Sequence, residues 1–304
     1  MSAQNTRILA YGSEAIAEAA ALIAAGRPVA MPTETVYGLA ADATDGEAVA
    51  RIYEAKGRPA FNPLIVHVKD IGQAREIALL DDSAAALAER HWPGPLTLVL
   101  PLRDDAPIAS LVTAGLPTVA VRAPAHPAMR DLLEATGRPL AAPSANASGR
   151  ISPTRAEHVL AGLGGRIALI VDGGPAAHGL ESTIVAATGG ALRLLRPGPI
   201  DLGLDAAENG RIEAPGQLKS HYAPSKPLRL NAGTATAQEW LIGFGPVAGD
   251  TTLSASGDLV EAAANLFERL HEADAARAPA IAVAPIPDEG LGAAINDRLR
   301  RAAA

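Results

Sequence analysis

The sequence lacks cysteine entirely and is poor in aromatic residues. With no cysteine in 304 residues, the chain can form no disulfide bond, no thiolate nucleophile and no zinc site that depends on cysteine. Aromatic residues make up only 3% of the chain, so its cores must be built from Ala, Val, Leu and Ile. Few rings are available to stack on unpaired bases, which argues against recognition of single-stranded RNA.

The sequence also lacks an excess of positive charge and any long apolar run. Its formal net charge is −7, whereas a protein whose main task is to bind nucleic acid usually carries a basic face. No apolar run reaches the roughly 20 residues that span a bilayer, and Glu and Gln interrupt the apolar residues of segment 1–20, unlike a signal peptide. We expect a soluble cytoplasmic protein with no membrane contact and no stable nucleic-acid binding, although a local basic cleft stays open.

Common nucleotide and hydrolase motifs are missing as well. The sequence has no Gly-x-x-x-x-Gly-Lys-Ser/Thr loop, no His-Glu-x-x-His and no Gly-x-Ser-x-Gly. If the chain binds phosphate groups, it must do so without the usual glycine-rich loop.

Strand-like and helix-like segments alternate along most of the chain. This alternation predicts an α/β domain over residues 7–205. Within it, residues 28–43 begin as a short buried strand and are expected to continue as a threonine-rich loop. Residues 206–227 are polar and rich in proline and glycine, which is typical of a linker. Residues 228–304 predict a second, small α/β unit.

A pair of cations flanks a glycine where a predicted helix ends. Lys56 and Arg58 lie on either side of Gly57, and Pro59 stiffens the turn before the apolar strand that carries His67. Taken alone, such charges are more often solvated surface, and a histidine in an apolar strand is more often a core residue with its hydrogen bonds satisfied. Two cations fixed on a rigid turn at the end of a sheet can also hold phosphate oxygens.

Further polar groups fall at predicted strand ends. Residues 141–154, "AAPSANASGRISPT", follow a short strand and are either a flexible turn or a loop whose backbone N–H groups can approach an anion. Arg122 and Arg196 each end a strand, and Glu181 and Ser182 stand at the start of another. Because α/β sheets place ligands at strand ends, the joint pattern indicates a binding site there.

These segments also resemble a known family. "PTETVYGLAADA", "KGRPAFNPLIVHV", "WPGPLTLVLP", "TVAVRAP", "PSANASGRISPT", "ESTIV" and "RPGPI" occur in the order found in the YrdC-type threonylcarbamoyl-AMP synthases. The resemblance covers nearly all of residues 15–200. "KSHYAP" and the small domain after it look like the long, two-domain form of the family. The resemblance implies a large twisted mixed sheet, then the linker and a small Rossmann-like C-terminal domain.

The resemblance also implies an activity. Members of the family make L-threonylcarbamoyladenylate and pyrophosphate from L-threonine, bicarbonate or CO2, and ATP. Downstream enzymes then transfer the threonylcarbamoyl group to tRNA. Mg²⁺ is expected with ATP, but the sequence has no acidic cluster dedicated to it, so phosphates and water are expected to hold most of the metal.

Site residues follow from the matched motifs. The resemblance implies catalytic roles for Lys56, Arg58, Ser144 and Asn146. Residues expected to contact ATP are Lys56, Arg58, Asn62, Thr118, Ser144, Ser152, Arg196 and Tyr222. Residues expected to form the threonine pocket are Thr35, His67, Arg122, the backbone at Ala142, and Ser182. Arg122 is expected to bind the threonine carboxylate, and Tyr222 to fold back over the nucleotide so that the linker acts as a lid.

Three other functions compete with the synthase. An RNA-binding module could use a concave, partly basic face, but the charge and the few aromatics disfavour it. The related carbamoyltransferase of hydrogenase maturation needs cysteine-rich zinc motifs that this chain lacks. A non-catalytic nucleotide sensor is the third alternative, and the near-complete set of motifs argues against it.

Overall fold

The structure is a computed structural model and describes residues 5–205, 213–216 and 220–304. The strands are β1 (Arg7–Ala10), β2 (Val29–Met31), β3 (Gly38–Asp42), β4 (Ile65–His67), β5 (Leu96–Pro101), β6 (Thr118–Arg122), β7 (Leu140–Ala141), β8 (Leu169–Asp172), β9 (Thr183–Ala186), β10 (Arg193–Arg196), β11 (Leu228–Arg229), β12 (Glu239–Gly243), β13 (Thr251–Thr252) and β14 (Ala280–Val283). The helices are α1 (Ser13–Ala24), α2 (Gly46–Lys56), α3 (Ile71–Ile77), α4 (Asp82–His91), α5 (Ser110–Thr113), α6 (Pro127–Thr136), α7 (Ala156–Leu163), α8 (Leu259–Ala275) and α9 (Leu291–Ala302).

The first ten strands form one mixed sheet, in the order β1-β8-β2-β3-β7-β4-β6-β5-β9-β10. β4 runs parallel to β6, and His67 lies opposite Arg122 in this register. β5 is antiparallel to β6 and parallel to β9, while β10 is antiparallel to β9. The end of β6, the start of β9 and the end of β10 therefore meet at one edge of the sheet.

Side-chain alternation along β4 separates the core from the site. Leu64 and Val66 point into the main hydrophobic core, where helices cover the sheet. Ile65 and His67 point to the opposite face, because successive side chains of a strand alternate. That second face lines the cavity described below.

Local sequence explains how α2 begins and ends. The Asp45 carboxylate accepts hydrogen bonds from the backbone N–H groups of Glu47 and Ala48, at 2.9 and 3.3 Å, as an N-cap side chain does. Gly57 ends the helix in the left-handed conformation, with φ 61°. Glycine adopts this conformation at little cost, so the chain turns sharply and sends Lys56 and Arg58 toward the sheet.

The remaining strands form a smaller parallel sheet, in the order β11-β14-β12-β13. α8 and α9 pack against it, and Leu266, Phe267 and Ile295 are buried between them. The same hydrophobic cluster includes Val36 and Tyr222, so the small unit packs directly on the loops that surround the cavity.

Some predictions of local structure were wrong or incomplete. Residues 38–42 form strand β3, not the continuation of a loop, because they pair with both β2 and β7. Helices α3 and α4 were not predicted. Residues 206–212 and 217–219 of the predicted linker lie outside the described residues. Among the helices that the structure describes, each is too short or too polar to cross a membrane.

Candidate active site

A cavity lies on the sheet face that carries His67, and residues distant in sequence converge on it. Its lining is formed by Thr33, Thr35, Val36, Gly38, Arg58, Ile65, His67, Arg122, Ala142, Pro143, Ser144, Glu181, Ser182, Arg196, Pro215, Gly216, His221 and Tyr222. Three arginines and one glutamate bring charge to it. The cavity therefore has a net cationic lining, as a site for an anionic molecule requires.

Arg122 is held rigidly at the end of β6. Its Nε donates to the Gly94 carbonyl at 3.2 Å, and Nη1 donates to the Thr35 hydroxyl at 2.8 Å. Nη2 forms an ion pair with Glu34 at 2.6 Å. A guanidinium has five N–H donors, so these bonds leave one N–H on each terminal nitrogen for a further acceptor.

Two neighbours of Arg122 have strongly shifted pKa values. Burial alone would raise the pKa of Glu34, but the charge and hydrogen bond of Arg122 lower it to about 2. Burial lowers the pKa of His67 to about 3, and the charge of Arg122 acts in the same direction. At neutral pH the Glu34 carboxylate is thus ionised and the His67 imidazole is uncharged.

Arg196 and Ser182 also line the cavity. Arg196 Nε donates to the Ser182 carbonyl at 3.0 Å, and its Nη2 donates to the Ser182 hydroxyl at 3.1 Å. That hydroxyl also shares a 2.7 Å hydrogen bond with Thr97. Gly198 is required nearby, since a Cβ there would lie 2.5 Å from the Thr183 nitrogen and 2.8 Å from the Glu181 carbonyl oxygen.

Arg58 reaches the cavity from the turn after α2. Its Nε donates to the Asn62 carbonyl at 3.1 Å, and its Nη2 donates to the Pro63 carbonyl at 2.7 Å. Burial lowers the pKa of Arg58 to about 10, so the guanidinium stays charged at neutral pH. The conformation of residues 57–63 thus fixes one cation against the cavity.

Lys56 has different surroundings from Arg58. It is buried, and its Nζ donates to the carbonyls of Ser144 and Asn146. The Asn146 side chain in turn donates to the carbonyls of Ala147 and Arg150, at 2.9 and 2.8 Å. Lys56 and Asn146 therefore shape the loop that presents Ser144, and neither lines the cavity. Burial shifts the pKa of Lys56 well below its usual value, and the nearby Arg58 adds to this shift.

Tyr222 lines the cavity. It is 1% exposed and adopts φ 64°, a left-handed conformation that is uncommon for a residue with a Cβ. The neighbouring His221 also lines the cavity, and its ring lies edge-on to that of Tyr222 at 4.1 Å. Surrounding contacts must stabilise this stretch, because the backbone alone would not select it.

The structure brings together most, but not all, of the predicted site residues. Those that line the cavity are Thr35, Arg58, His67, Arg122, Ala142, Ser144, Ser182, Arg196 and Tyr222. Those that do not line it are Lys56, Asn62, Thr118, Asn146 and Ser152. The Ser152 hydroxyl donates a hydrogen bond to the Glu181 carboxylate. Thr118 lies at the opposite end of β6 from Arg122.

Several buried polar atoms near the cavity have no hydrogen-bond partner among the residues that the structure describes. They include both side-chain amide atoms of Asn62 and the Nδ1 atoms of His67 and His221. Unsatisfied buried polar groups are rare in proteins, and strain, a catalytic role, or a bound water or ion can account for them. Asn62 follows Arg58 on the same turn, and its backbone carbonyl accepts a hydrogen bond from Arg58.

Three charged or titratable residues at the site were missed or given no role from the sequence. Glu34 sits inside the "PTET" segment beside Thr35, and His221 precedes Tyr222, so both had a motif signal. Arg298 lies on α9 of the small unit, yet it is fully buried against Glu181. A lone arginine in a helix near the end of the chain carries no local signal for such a role.

The described residues include no group of three or more His, Asp or Glu side chains that could hold a metal ion. Glu181 is the carboxylate in the cavity lining, and its oxygens already accept hydrogen bonds from Ser152 and Arg298.

Together, fold and site define an α/β protein with a cavity whose lining is cationic. The model of the family described as "Telomere recombination" (Sua5_yciO_yrdC) matches residues 21–198. The model described as "Threonylcarbamoyl-AMP synthase, C-terminal domain" matches residues 184–304. The chain therefore belongs to the threonylcarbamoyl-AMP synthase family, in its two-domain Sua5 type.

Individual relatives agree with this assignment. The threonylcarbamoyl-AMP synthase of Bacillus subtilis is 43% identical, over 95% of this chain and 92% of the relative. That of Pyrococcus abyssi is 41% identical, over 93% of this chain and 92% of the relative. The crystal structure of P. abyssi Sua5 complexed with L-threonine is similar with a TM-score of 0.90 and 38% identity, and the match covers 98% of both chains.

Proposed function

We propose that this protein is a threonylcarbamoyl-AMP synthase, which makes L-threonylcarbamoyladenylate and pyrophosphate from L-threonine, bicarbonate or CO2, and ATP. The product would serve the threonylcarbamoyladenosine modification of tRNA through downstream enzymes. The observation that carries the proposal is the clamped Arg122 guanidinium, which lines the same cavity as Arg58 and Arg196.

Arg122 suits the threonine carboxylate for a geometric reason. The bonds to Gly94, Thr35 and Glu34 fix the plane of the guanidinium. One N–H on each terminal nitrogen remains, and this pair matches the two oxygens of a carboxylate. Glu34 offsets the charge of Arg122 inside the protein, so the carboxylate is selected by shape and hydrogen bonds more than by net charge.

Arg58 and Arg196 suit the phosphates of ATP. Both are buried cations held in place by backbone carbonyls, so little reorganisation is needed when negative charge develops. We propose that they offset the triphosphate and the departing pyrophosphate. Lys56 would contribute by holding the loop that carries Ser144, and Asn62 by completing its amide hydrogen bonds with the nucleotide.

The chemistry needs no nucleophile from the protein. The threonine amine adds to CO2 and loses a proton, which gives a carbamate anion. A carbamate oxygen then attacks the α-phosphorus of ATP, a new P–O bond forms, and the bond to the bridging oxygen breaks to release pyrophosphate. The protein contributes position and charge stabilisation, in agreement with the absence of cysteine from the chain.

Mg²⁺ is best treated as part of the nucleotide substrate. Hard cations such as Mg²⁺ prefer oxygen ligands and commonly bind substrate phosphates and water. In the described residues no carboxylate cluster competes for it. We propose that it enters and leaves with ATP and pyrophosphate.

We also propose the domain organisation expected from the sequence. Residues 7–205 form the catalytic domain, 206–227 a linker that acts as a lid through Tyr222, and 228–304 a Rossmann-like domain. The parallel sheet of four strands with α8 and α9 supports the last assignment. The cytoplasm is the proposed location, because ATP, threonine and tRNA are available there.

The direct test is pyrophosphate release from ATP by the purified protein. Threonine and bicarbonate are added separately and together, with serine as the comparison amino acid. Release that requires both substrates supports the proposal, and serine should be a poor substitute. If folded protein releases no pyrophosphate under any combination, the proposal is wrong, and filter binding with tRNA at physiological salt would then test the RNA-binding alternative.

A further inference from the structure

The small C-terminal unit sends one fully buried arginine to the wall of the cavity. Arg298 on α9 is 0% exposed. Its Nε donates to the Glu181 carboxylate at 2.9 Å, and its Nη1 donates to the Pro197 carbonyl at 2.9 Å. Glu181 and Ser182 line the cavity, and Pro197 directly follows Arg196. One side chain of the small unit thus fixes two segments of the wall.

The same helix also contacts His221 and Tyr222, which line the cavity. The Arg298 guanidinium carbon lies 5.5 Å from the centre of the Tyr222 ring, within the range of a cation–π contact. One turn further along α9, the Arg301 carbonyl accepts the backbone N–H of His221 at 3.1 Å. One contact is made by the Tyr222 ring and the other by the preceding residue, and both support the left-handed backbone at Tyr222, which needs external support.

The charges around Arg298 form a closed network. Asp297 accepts hydrogen bonds from Arg298 and Arg301, each at 3.0 Å. Glu181 accepts from Arg298 through one carboxylate oxygen and from Ser152 through the other. Burial would raise the pKa of Glu181, but the charges of Arg298 and Arg196 lower it. Loss of Arg298 would therefore leave a buried carboxylate beside Arg196.

We propose that Arg298 is a positioning residue of the synthase site, through which the C-terminal domain holds Glu181 and Tyr222 in the geometry that binds ATP. This inference rests on the proposed function. It assigns the C-terminal domain a part in nucleotide binding, because α9 contacts the Glu181 and Pro197 segments as well as His221 and Tyr222. Arg122 and Thr35 do not contact Arg298, so the side of the threonine pocket that binds the carboxylate should change little when Arg298 is replaced.

The test compares Arg298→Met with Arg300→Met on the same helix. Arg300 has a 58% exposed side chain and a 3.6 Å contact with Asp288, which makes it a matched control. We expect Arg298→Met to raise the KM for ATP or lower kcat so that kcat/KM for ATP falls at least 30-fold. The Kd for threonine should stay within about twofold. Arg300→Met should change neither.

Two further variants separate positioning from a general loss of structure. Arg298→Lys keeps the charge but cannot span Glu181 and Pro197 together, so its kcat/KM for ATP should fall by less than that of Arg298→Met. Because Arg298 acts through Glu181, the double variant Arg298→Met/Glu181→Gln should lose little more activity than the worse single variant. If Arg298→Met does not fold, Arg298→Lys carries the test with the same selective loss toward ATP.

The outcomes distinguish the inference from the function beneath it. Wild-type protein without threonine- and bicarbonate-dependent pyrophosphate release would overturn the proposed function. An active wild type whose Arg298 variants match Arg300→Met would overturn the inference alone. Equal losses of threonine and ATP affinity, in step with a lower Tm, would show that Arg298 only stabilises the fold and would also overturn it.

Discussion

The buried pair of Arg122 and Glu34 offers a sharp test of the site's electrostatics. The perturbation is Arg122→Met, which keeps much of the side-chain volume and removes the charge. The two side chains are 4% and 10% exposed, so solvent screens little of their interaction. The variant leaves Glu34 buried without its cation.

The structure sets the magnitude. The pKa of Glu34 falls from its usual 4.5 to about 2, and a difference of this size corresponds to ~3 kcal/mol of stability at neutral pH. Loss of one partner of a buried ion pair also costs about 3–5 kcal/mol in general. We therefore expect Arg122→Met to lower the free energy of unfolding at pH 7 by about 3 kcal/mol or more.

The sign of the pH dependence follows from the same values. Glu34 has a depressed pKa in the folded state, so its contribution is present above about pH 4.5 and is lost as the pH falls toward about 2. The gap between wild type and Arg122→Met should be largest at pH 7 and shrink as the pH falls toward 2, and the decrease should begin above pH 4.5 because burial without Arg122 raises the pKa of Glu34 in the variant. A gap that stays constant from pH 7 to pH 3 would contradict the assignment.

The assay is urea unfolding monitored by Trp92 fluorescence. The chain has two tryptophans, so a Trp240→Phe background leaves Trp92 to report on the large domain. The double variant Arg122→Met/Glu34→Gln removes the orphaned charge and should regain at least half of the lost stability. Arg103→Met, which breaks the exposed pair with Asp105, is the control and should leave the midpoint nearly unchanged. A double variant no more stable than Arg122→Met would refute the reasoning.

Three further predictions concern other parts of the site and the domain interface. Asn62→Leu should raise the free energy of unfolding by about 1–3 kcal/mol, because it removes a buried amide whose side-chain atoms have no partner among the described residues. The KM for ATP should rise in the same variant. Unchanged stability in urea titrations would contradict the view that the amide is unsatisfied. Gly198→Ala should destabilise the protein by roughly 1–3 kcal/mol and weaken ATP binding, because its Cβ would meet the Thr183 nitrogen at 2.5 Å. Gly233→Ala is the control and should do neither, because a Cβ at Gly233 would have no neighbouring atom within 4 Å. Burial lowers the pKa of each of the stacked histidines His158 and His271 to about 4. Since the unfolded chain takes up these protons at higher pH than the folded chain, the free energy of unfolding should fall as the pH drops from 6.5 to 4. In a pH series of urea titrations, His271→Gln should flatten that part of the curve. Parallel wild-type and His271→Gln curves would exclude the stack as a source of acid sensitivity.

Predictions from the sequence were best where local chemistry decides the structure. The end of α2 could be predicted because Gly57 tolerates a left-handed backbone. The apolar run around β4 predicted a buried strand, and Arg122 and Arg196 end β6 and β10 as expected. Segment 38–42 was not predicted as a strand, because Gly, Ala and Asp, which make up most of it, are uncommon in strands.

The sequence by itself determined the family, the alternation of strands and helices, and half of the residues that line the cavity. Backbone preferences and motif order act over a few residues and can be read directly. Tertiary structure alone decided which partners those residues meet. Glu34 and Arg122 are 88 positions apart, and Glu181 and Arg298 are 117 apart. Only the packing of the sheet and of α9 brings these charges together, because burial, which makes each pair necessary, exists only in the folded chain.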